Sequence, residues 1–350
     1  MFSEKDLKDL NDYIELVKDL PFVSEFTEFR DYIQNNPEFE AFPVVVLSHD
    51  FNPKRSKFLV NLDGYTNYLV VTAESNKEKY TDFKCHFYDD SNIPGLANKR
   101  KYIIDLLQNK NIENAFLVED DCTNFVLPYK TDKSVNAPFK ISYDFLFKFW
   151  TFLVKKYNYK YSGLMNWTAF RFCDIENMSN FTKHNAQGIQ VIQINSKFAK
   201  ENGIQYDPES GWEDFDILIQ EMIYGNGTEV LPIGYQTPAI TQGVSTFSNL
   251  PERCIESTSK FLSKWGFDLV RLDLKKGIFN AKVNWIRAKK AISENKPLKT
   301  LVKPIQITET DKESIRNIMN SDLEPKEKKL KIEKLLGQLV KSNNDVLKYY

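Results

Sequence analysis

The sequence has almost no net charge, few cysteines and no long hydrophobic segment. Its 47 basic residues balance 48 acidic residues in a chain of 350. Overall charge therefore supplies no nucleic-acid surface, and any such surface must be a local patch. Hydrophobic residues make up 42% and charged residues 27%, which is typical of a globular chain and excludes a disordered one. A chain of this length can form one large domain or two smaller ones.

The four cysteines, Cys85, Cys122, Cys173 and Cys254, lie far apart in the sequence and form no CxxC pair. This spacing argues against a structural zinc site and against a disulfide framework, and it favours a reducing compartment. The N-terminal MFSEKDLKDLND is charged and lacks the apolar segment of a signal peptide. The stretch FLFKFWTFLV contains Lys148 and has about half the length of a membrane-spanning helix. We therefore expect a cytoplasmic protein without a membrane partner.

Short β-branched runs alternate with helical patterns in the first half of the chain. FPVVVLSHD begins at Phe42, YLVVTAE spans 68–74 and KCHFYDD spans 84–90. The helical pattern ANKRKYIIDLLQNK then leads into the apolar run Ala115–Val118. This alternation has the spacing of βαβ units, so it predicts an α/β fold with a mostly parallel sheet and helices on both faces.

Helical patterns also mark both ends of the chain. Residues 3–37 follow helical spacing, and Ser3 with Asp6 resembles a capping box. A charged helix is expected at roughly 325–348. We therefore predict three regions, which are an N-terminal helical segment at 1–40, a catalytic α/β domain at 41–250 and a Lys-rich, mainly helical region at 251–350.

Three consecutive carboxylates, Glu119, Asp120 and Asp121, follow the predicted strand Ala115–Val118. Ligands of open parallel sheets bind beyond the carboxyl ends of the strands. Alternation along the strand predicts that Glu119 and Asp121 point to one side and Asp120 to the other. Two converging carboxylates can bind Mg²⁺ or Mn²⁺, which keeps waters and substrate phosphates as further ligands. A solvated acidic turn is an equally good interpretation of this motif alone.

A second acidic cluster lies in GWEDFD, where Glu213, Asp214 and Asp216 begin a predicted helix. Acidic residues in a first helical turn complement the helix dipole and need no further role. However, Trp212 offers a flat apolar face for a sugar or a base. A carboxylate beside it can accept a proton from an attacking hydroxyl. From this motif alone, a structural role is favoured over a catalytic one.

The order of these motifs, over residues 42–227, resembles the GT-A class of nucleotide-sugar glycosyltransferases. The resemblance implies a GT-A fold, a nucleotide-sugar donor with a UDP-sugar favoured, and a divalent cation, Mn²⁺ or Mg²⁺. The metal motif is Glu-Asp-Asp here, whereas the class has Asp-x-Asp. The resemblance assigns Asp121 and Glu119 to the metal, and it assigns four residues to the donor: Ser48, His49, Arg100 and Asp120. On the acceptor side it implies Asp214 as the base, Glu213 as its acceptor-binding neighbour and Trp212 as an acceptor contact.

Within that class, the pair FLVEDD and WEDFD…Q looks most like the TET-associated glycosyltransferases and their relatives encoded by viruses of bacteria. That similarity implies a hydroxymethylated pyrimidine in DNA as the acceptor, and a host cytoplasm as the location. The Lys-rich stretch 264–303 contains four bulky aromatic residues, Trp265, Phe267, Phe279 and Trp285. It predicts either a phosphate-contacting surface or an amphipathic helix whose aromatic residues face the core.

Three other functions fit the same residues. A nucleotidyltransferase would bind a triphosphate through the same acids, but SHDFNPKRSK lacks the glycine of a phosphate loop. A nucleic-acid-binding or assembly protein would use the acids only in turns and helix starts. A metal nuclease would use clustered acids for two-metal chemistry.

Overall fold

The computed structural model describes most of the chain, and the account that follows concerns the described residues. They are 2–62, 64–93, 95–131, 135–184, 189–207, 212–224, 228–237, 250–266, 269–274, 280–293, 299–301, 307–342 and 347–349. Contacts divide the chain into two compact units. Unit 1 comprises 1–95, 99–205 and 227–239, and unit 2 comprises 96–98, 206–226 and 240–350. The functional regions 1–40, 41–250 and 251–350 stay predictions.

Unit 1 contains a ten-stranded sheet whose first part is parallel. Strand β1 (Val44–Leu47) lies between β2 (Tyr68–Ala73) and β4 (Asn114–Glu119), and β3 (Cys85–Tyr88) pairs with β2. All four residues of β1 are buried, as expected of a parallel strand inside a sheet. The four strands predicted from the β-branched runs are therefore confirmed.

The remainder of this sheet is mixed, so the prediction of a mostly parallel sheet is only partly confirmed. The other strands are β5 (Thr123–Tyr129), β6 (Ala137–Lys140), β7 (Tyr161–Asn166), β8 (Lys183–His184), β9 (Val191–Asn195) and β10 (Glu229–Gln236). Strand β9 runs antiparallel to both β4 and β7, while β10 runs parallel to β7 and antiparallel to β5. Strands β5 and β6 are antiparallel, because the segment 130–136 is too short for a crossover connection.

Two long helices of unit 1 begin with serine caps that are recognisable in the sequence. Ser3 precedes the first helix and accepts the backbone N–H of Asp6 at 3.0 Å, which confirms the predicted start. Ser142 accepts the N–H of Phe145 at the start of the most buried helix.

The α-helices of the described residues are α1 (Glu4–Leu16), α2 (Val23–Asn35), α3 (Lys57–Val60), α4 (Leu96–Asn109), α5 (Tyr143–Tyr157), α6 (Trp167–Arg171), α7 (Ser196–Asn202), α8 (Glu213–Tyr224), α9 (Leu250–Trp265), α10 (Trp285–Ser293), α11 (Glu309–Asn320) and α12 (Pro325–Ser342).

The core of unit 1 is rich in aromatic side chains around α5. The ten residues from Phe145 to Val154 are all buried. The ring of Phe149 stacks on that of Phe26 in α2, with centroids 4.3 Å apart. Trp150 donates its indole N–H to Ser162 in β7 at 2.8 Å. The apolar stretch FLFKFWTFLV is thus a core helix, and the described part of the chain contains no helix that is long and apolar enough to cross a membrane.

Unit 2 has its own core, formed by residues of α8 to α12 and of a two-stranded ladder. Strand β11 (Val270–Asp273) pairs antiparallel with β12 (Asn280–Val283), and β13 (Lys299–Leu301) pairs with β14 (Leu347–Tyr349). Trp265 is buried in this core and Trp285 packs against it. This favours the amphipathic interpretation for these two aromatic residues of the Lys-rich stretch. Phe267 and Phe279 lie outside the described residues.

Candidate functional site

The predicted donor and metal residues lie at one edge of the sheet in unit 1. In the parallel pair of β1 and β4, Leu47 lies opposite Glu119. Ser48 and His49 therefore follow β1 where Asp120 and Asp121 follow β4. The backbone N–H of Asp120 reaches back to the carbonyl of Leu47 at 3.3 Å. The sheet thus brings together residues that are about seventy positions apart in the chain.

Asp120 is turned inward at this edge. Its carboxylate accepts hydrogen bonds from Ser56 at 2.7 Å and from Ser48. Ser48 also shares a hydrogen bond of 2.6 Å with the hydroxyl of Tyr80. Burial raises the pKa of Asp120, and the two serine hydroxyls partly offset that rise. Asp120 consequently fixes the two loops that follow β1 and β4, through groups that all lie inside the protein.

Glu119 is held by a cation. Its carboxylate is paired with the guanidinium of Arg100 and accepts the side-chain amide of Gln190 at 3.1 Å. Tyr235 donates to the other end of that amide at 3.0 Å. Lys99 and Arg100 are both buried, so they are not a solvated helix start. In this structure Arg100 forms an ion pair with Glu119, and its contact with a donor diphosphate stays a prediction.

Asp121 differs from its two neighbours. The only side chain among the described residues that donates to its carboxylate is the thiol of Cys122, with the Sγ and Oδ1 atoms 3.8 Å apart. Burial, together with the nearby charges of Glu119 and Asp120, raises the pKa of Asp121 to about 6. No lysine or arginine in the described ranges lies within ion-pair distance of this carboxylate. The local field therefore favours the binding of a cation.

A basic pair adjoins the acids through the loop after β1. The ammonium of Lys99 lies 3.0 Å from Nδ1 of His49 and 3.9 Å from the carboxylate of Asp90. Because an ammonium only donates, the imidazole nitrogen is the acceptor in this contact. Burial lowers the pKa of Lys99 and Asp90 raises it, while His49 is exposed. An exposed imidazole backed by a buried lysine can contact a phosphate or a nucleotide.

The acids could bind a divalent cation only if that ion took few ligands from the protein. Within the described ranges no three histidine, cysteine, aspartate or glutamate side chains converge to form a metal cage. Asp120 is engaged by serines and Glu119 by Arg100, so Asp121 would be the principal ligand of such an ion and Glu119 the second. One or two carboxylates, with waters and substrate phosphates completing the shell, is the usual coordination of Mg²⁺.

The predicted acceptor residues belong to unit 2, at the start of α8. Trp212 donates its indole N–H to Thr258 at 3.1 Å, and its ring lies 5.8 Å from that of Phe215. Asp214 accepts the backbone N–H of Phe215 at 2.9 Å. Trp212, Glu213 and Asp214 are all partly exposed, so a ligand can reach them. Gly211 lies outside the described residues.

Asp216 has a structural role that no sequence pattern indicates. This residue is fully buried, and it accepts hydrogen bonds from the indole of Trp265 at 2.7 Å and from the ammonium of Lys264 at 3.0 Å. Lys264 also pairs with Asp207 at 2.7 Å. Burial raises the pKa of Asp216 and the charge of Lys264 opposes that rise, so that the pKa is about 6. No local signal identifies these partners, because Lys264 is 48 positions from Asp216.

Two further polar residues of the first cluster were also missed. Ser56 and Gln190 both contact the acids directly. Gln190 comes directly before β9, and such a position at a strand end is the only sign of its role in the sequence. Ser56 lies in a loop without any recognisable pattern.

Comparison with known proteins leaves the family open. No family model and no curated protein matches the chain. Among solved structures, a putative glucose-1-phosphate thymidylyltransferase from Bacillus anthracis, in complex with a sucrose, is similar at a TM-score of 0.33 and 8% identity, over 56% of this chain and 89% of that one. A cytidylyltransferase from Leptospira borgpetersenii serovar Hardjo-bovis is similar at 0.32 and 12%, over 72% and 94%. Similarity at this level establishes neither a family nor an activity.

Proposed function

We propose that this chain is a glycosyltransferase that moves a sugar from a nucleotide-diphosphate sugar to an acceptor hydroxyl, with a divalent cation at Asp121. The observation that supports the proposal is that three neighbouring acids have different hydrogen-bond and ion-pair partners. Asp120 has two hydroxyl donors and Glu119 has Arg100, whereas Asp121 has only the Cys122 thiol among the described residues. The negative charges around Asp121 favour the binding of a divalent cation, and the same cation can also bind the oxygens of a diphosphate.

The donor side of the proposal uses the edge after β1 and β4. Asp121, with Glu119, would hold Mn²⁺ or Mg²⁺, and a bound ion of this kind neutralises charge on a leaving diphosphate. Arg100 orients Glu119 for that task. His49, exposed and backed by Lys99, would contact the nucleotide. Asp120 takes a positioning role through Ser48 and Ser56, in place of the direct donor contact that the sequence predicts for Ser48 and Asp120.

The acceptor side of the proposal uses the start of α8. Asp214 would take the proton of the attacking hydroxyl, Glu213 would bind the acceptor, and the ring of Trp212 would contact it. The finer proposal is that the hydroxyl belongs to a hydroxymethylated pyrimidine in DNA. It rests on the similarity of FLVEDD and WEDFD…Q to the TET-associated enzymes. A base in a duplex would have to leave the stack to react.

The first test is thermal stabilisation by nucleotides. Ligand binding to the native state raises the melting temperature by mass action. We expect one nucleoside diphosphate and its sugar conjugate, with a uridine nucleotide favoured, to raise the melting temperature only when Mn²⁺ is present. Asp121→Asn should abolish this shift. Asp105→Asn, which replaces an exposed aspartate of α4, should retain it. The absence of any nucleotide shift would contradict the donor site.

The second test is transfer itself, measured by mass spectrometry on DNA that contains 5-hydroxymethylcytosine. Sugar transfer adds one glycosyl residue to the modified base and releases a nucleoside diphosphate. DNA with unmodified cytosine is the matched substrate and should not react. Release of pyrophosphate from a nucleoside triphosphate would indicate a nucleotidyltransferase, and nicking of the DNA with Mg²⁺ would indicate a nuclease. DNA binding with neither nucleotide binding nor catalysis would indicate a binding protein.

A further inference from the structure

We propose that unit 1 carries a second binding site, a cleft that takes a neutral oligosaccharide. The cleft has a volume of about 1170 Å³ and lies among the first turns of α1, segment 61–67, the β5–β6 pair and the first turns of α5. Small-molecule pockets measure roughly 300–1,000 Å³, so this cleft has room for more than one sugar ring. Glu119, Asp120, Asp121 and Arg100 do not line it. The proposal is therefore independent of sugar transfer.

The charges that line the cleft nearly balance. They comprise three lysines and four acids, namely Lys5, Lys140, Lys148, Asp6, Asp9, Glu40 and Asp144. The most buried lysine, Lys148, is paired with Asp144 at 3.0 Å. An anionic ligand would have to compete with these internal acids, and a cation would have to compete with the lysines. A ligand without net charge avoids both costs.

Asp6 makes one wall of the cleft rigid. It is buried and accepts the hydroxyl of Ser142 at 2.6 Å, as well as that of Ser3. Ser3 caps α1 and Ser142 caps α5, so a single carboxylate ties the starts of two helices together. Side chains that are locked in this way hold the wall in position before a ligand arrives, which lowers the entropy cost of binding.

Another part of the lining offers amide and hydroxyl groups to the solvent. Asn61, Thr66 and Asn124 line the cleft and are exposed. Asn61 donates to Thr123 at 2.9 Å, and Asn124 donates to Gln236 at 2.8 Å. Each bond uses one N–H of the amide and fixes its orientation, while the amide carbonyl and the second N–H remain for a ligand. Groups that both donate and accept match the hydroxyls of a sugar.

Aromatic rings complete the lining. Tyr143 and Phe139 are partly exposed and lie in the wall of the cleft. The ring of Tyr143 is stacked on Phe58, with centroids 4.5 Å apart and planes 6° from parallel, so it does not reorient freely. Flat apolar rings pack against the C–H faces of sugar rings, while the amides bind the hydroxyls. Balanced charge, amides and fixed rings together favour a carbohydrate over a phosphorylated ligand.

The test uses the full chain without nucleotide or metal, on an array of neutral and acidic oligosaccharides. We expect retention of neutral glycans of two or more rings. The best neutral trisaccharide is then titrated by calorimetry into the Asn61→Ala/Thr66→Ala double variant. Loss of two hydrogen-bonding side chains should weaken binding about 10-fold. Asn35→Ala, which removes an exposed asparagine with one hydrogen bond outside the cleft, should bind like the wild type.

The absence of any retained neutral glycan would overturn the proposal, and so would a preference for acidic glycans. Unchanged affinity in the double variant would place the sugar elsewhere and would overturn it as well. If the double variant does not fold, the single variant Thr66→Ala serves instead, because Thr66 is exposed and lines the cleft. We expect that variant to weaken binding severalfold. Since no donor or metal is present, the result does not depend on the function proposed for Asp121.

Discussion

The two acidic clusters, Glu119–Asp121 in unit 1 and Glu213–Asp216 in unit 2, look alike in the sequence. Their acids have different partners in the structure. In unit 1, the carboxylate of Asp120 is turned toward the hydroxyls of Ser48 and Ser56, and no lysine or arginine of the described residues lies within ion-pair distance of it. In unit 2, Asp216 is fully buried against the ammonium of Lys264 and the indole of Trp265. The charge of Asp216 is thus balanced from within its own unit, whereas Asp121 in the first cluster lies in an unbalanced field.

This difference teaches that the role of an acid depends on its partners more than on its neighbours in the chain. An acid that pairs with a buried cation has a structural role, because removing either partner leaves an uncompensated charge in the core and destabilises the protein. An acid without such a cation retains the capacity to bind one from solution. The predictions below test this contrast, in order of the expected effect on the free energy of unfolding.

The largest effect is expected for Lys264→Met. This change leaves Asp216 buried without its cation, which costs about 3–5 kcal/mol when one partner of a buried pair is removed. Urea unfolding, followed by tryptophan fluorescence, measures the change, since Trp212, Trp265 and Trp285 all lie in unit 2. Lys260→Met is the matched variant on the same helix.

Lys260 pairs with Glu256 at 2.9 Å in a partly exposed position. Its loss should cost less than about 1 kcal/mol. Equal effects of the two substitutions would show that Asp216 does not depend on Lys264. The double change Lys264→Met/Asp216→Leu should recover much of the stability, because it removes both charges together.

Glu221 differs from both Asp120, which is bound by hydroxyls, and Asp216, which is paired with a lysine. Both of its carboxyl oxygens are buried and have no hydrogen-bond partner among the described residues, and burial raises its pKa well above the ordinary value of 4.5. The folded state therefore keeps the proton that the unfolded state loses above about pH 4.5, so stability falls as the pH rises through that value. We expect Glu221→Met to stabilise the protein at pH 7 by about 1–3 kcal/mol.

Urea unfolding at pH 4 and pH 7 separates the two contributions of this residue. Glu221→Gln removes the titration but keeps a buried polar group, so it should flatten the pH dependence with a smaller gain at pH 7. A Glu221→Met variant that is less stable than the wild type would contradict the interpretation of this site.

Asp121→Asn should also stabilise the protein. The pKa of Asp121 is raised from 3.8 to about 6, so the folded state binds more protons than the unfolded state between these values. Stability conferred by this group is complete below pH 4 and falls as the pH rises to 6. Allowing for solvent screening, we expect a gain of about 1–2 kcal/mol at pH 7. A melting-temperature profile from pH 4 to pH 8 measures it, with Asp105→Asn as the matched variant. A loss of stability would contradict the unbalanced field.

The predictability of the two clusters follows from the same contrast. The parallel strands β1 to β4 and the joint position of Ser48 and Asp121 could be predicted, because β-branched runs and βαβ spacing are local signals. The antiparallel directions of β9 and β5 could not be predicted, since alternation identifies a strand but not its direction. Arg100 was expected to face a ligand, yet it pairs with Glu119. That contact depends on the packing of α4 against the sheet, which no local pattern encodes.

The smallest effect on stability is expected for Asp214→Asn, and it separates the two interpretations of the second cluster. Asp214 lies in the first turn of α8, where a carboxylate contributes about 0.3–1 kcal/mol through the helix dipole. If it is the base, the same change should lower sugar transfer by about 100-fold or more. Glu213→Gln is the matched variant, because it removes the same charge from the same helical turn. A large loss of transfer in Asp214→Asn alone, at nearly constant melting temperature, would distinguish catalysis from helix capping. Equal transfer rates in both variants and the wild type would mean that this cluster, including its exposed acids, serves only the fold of unit 2.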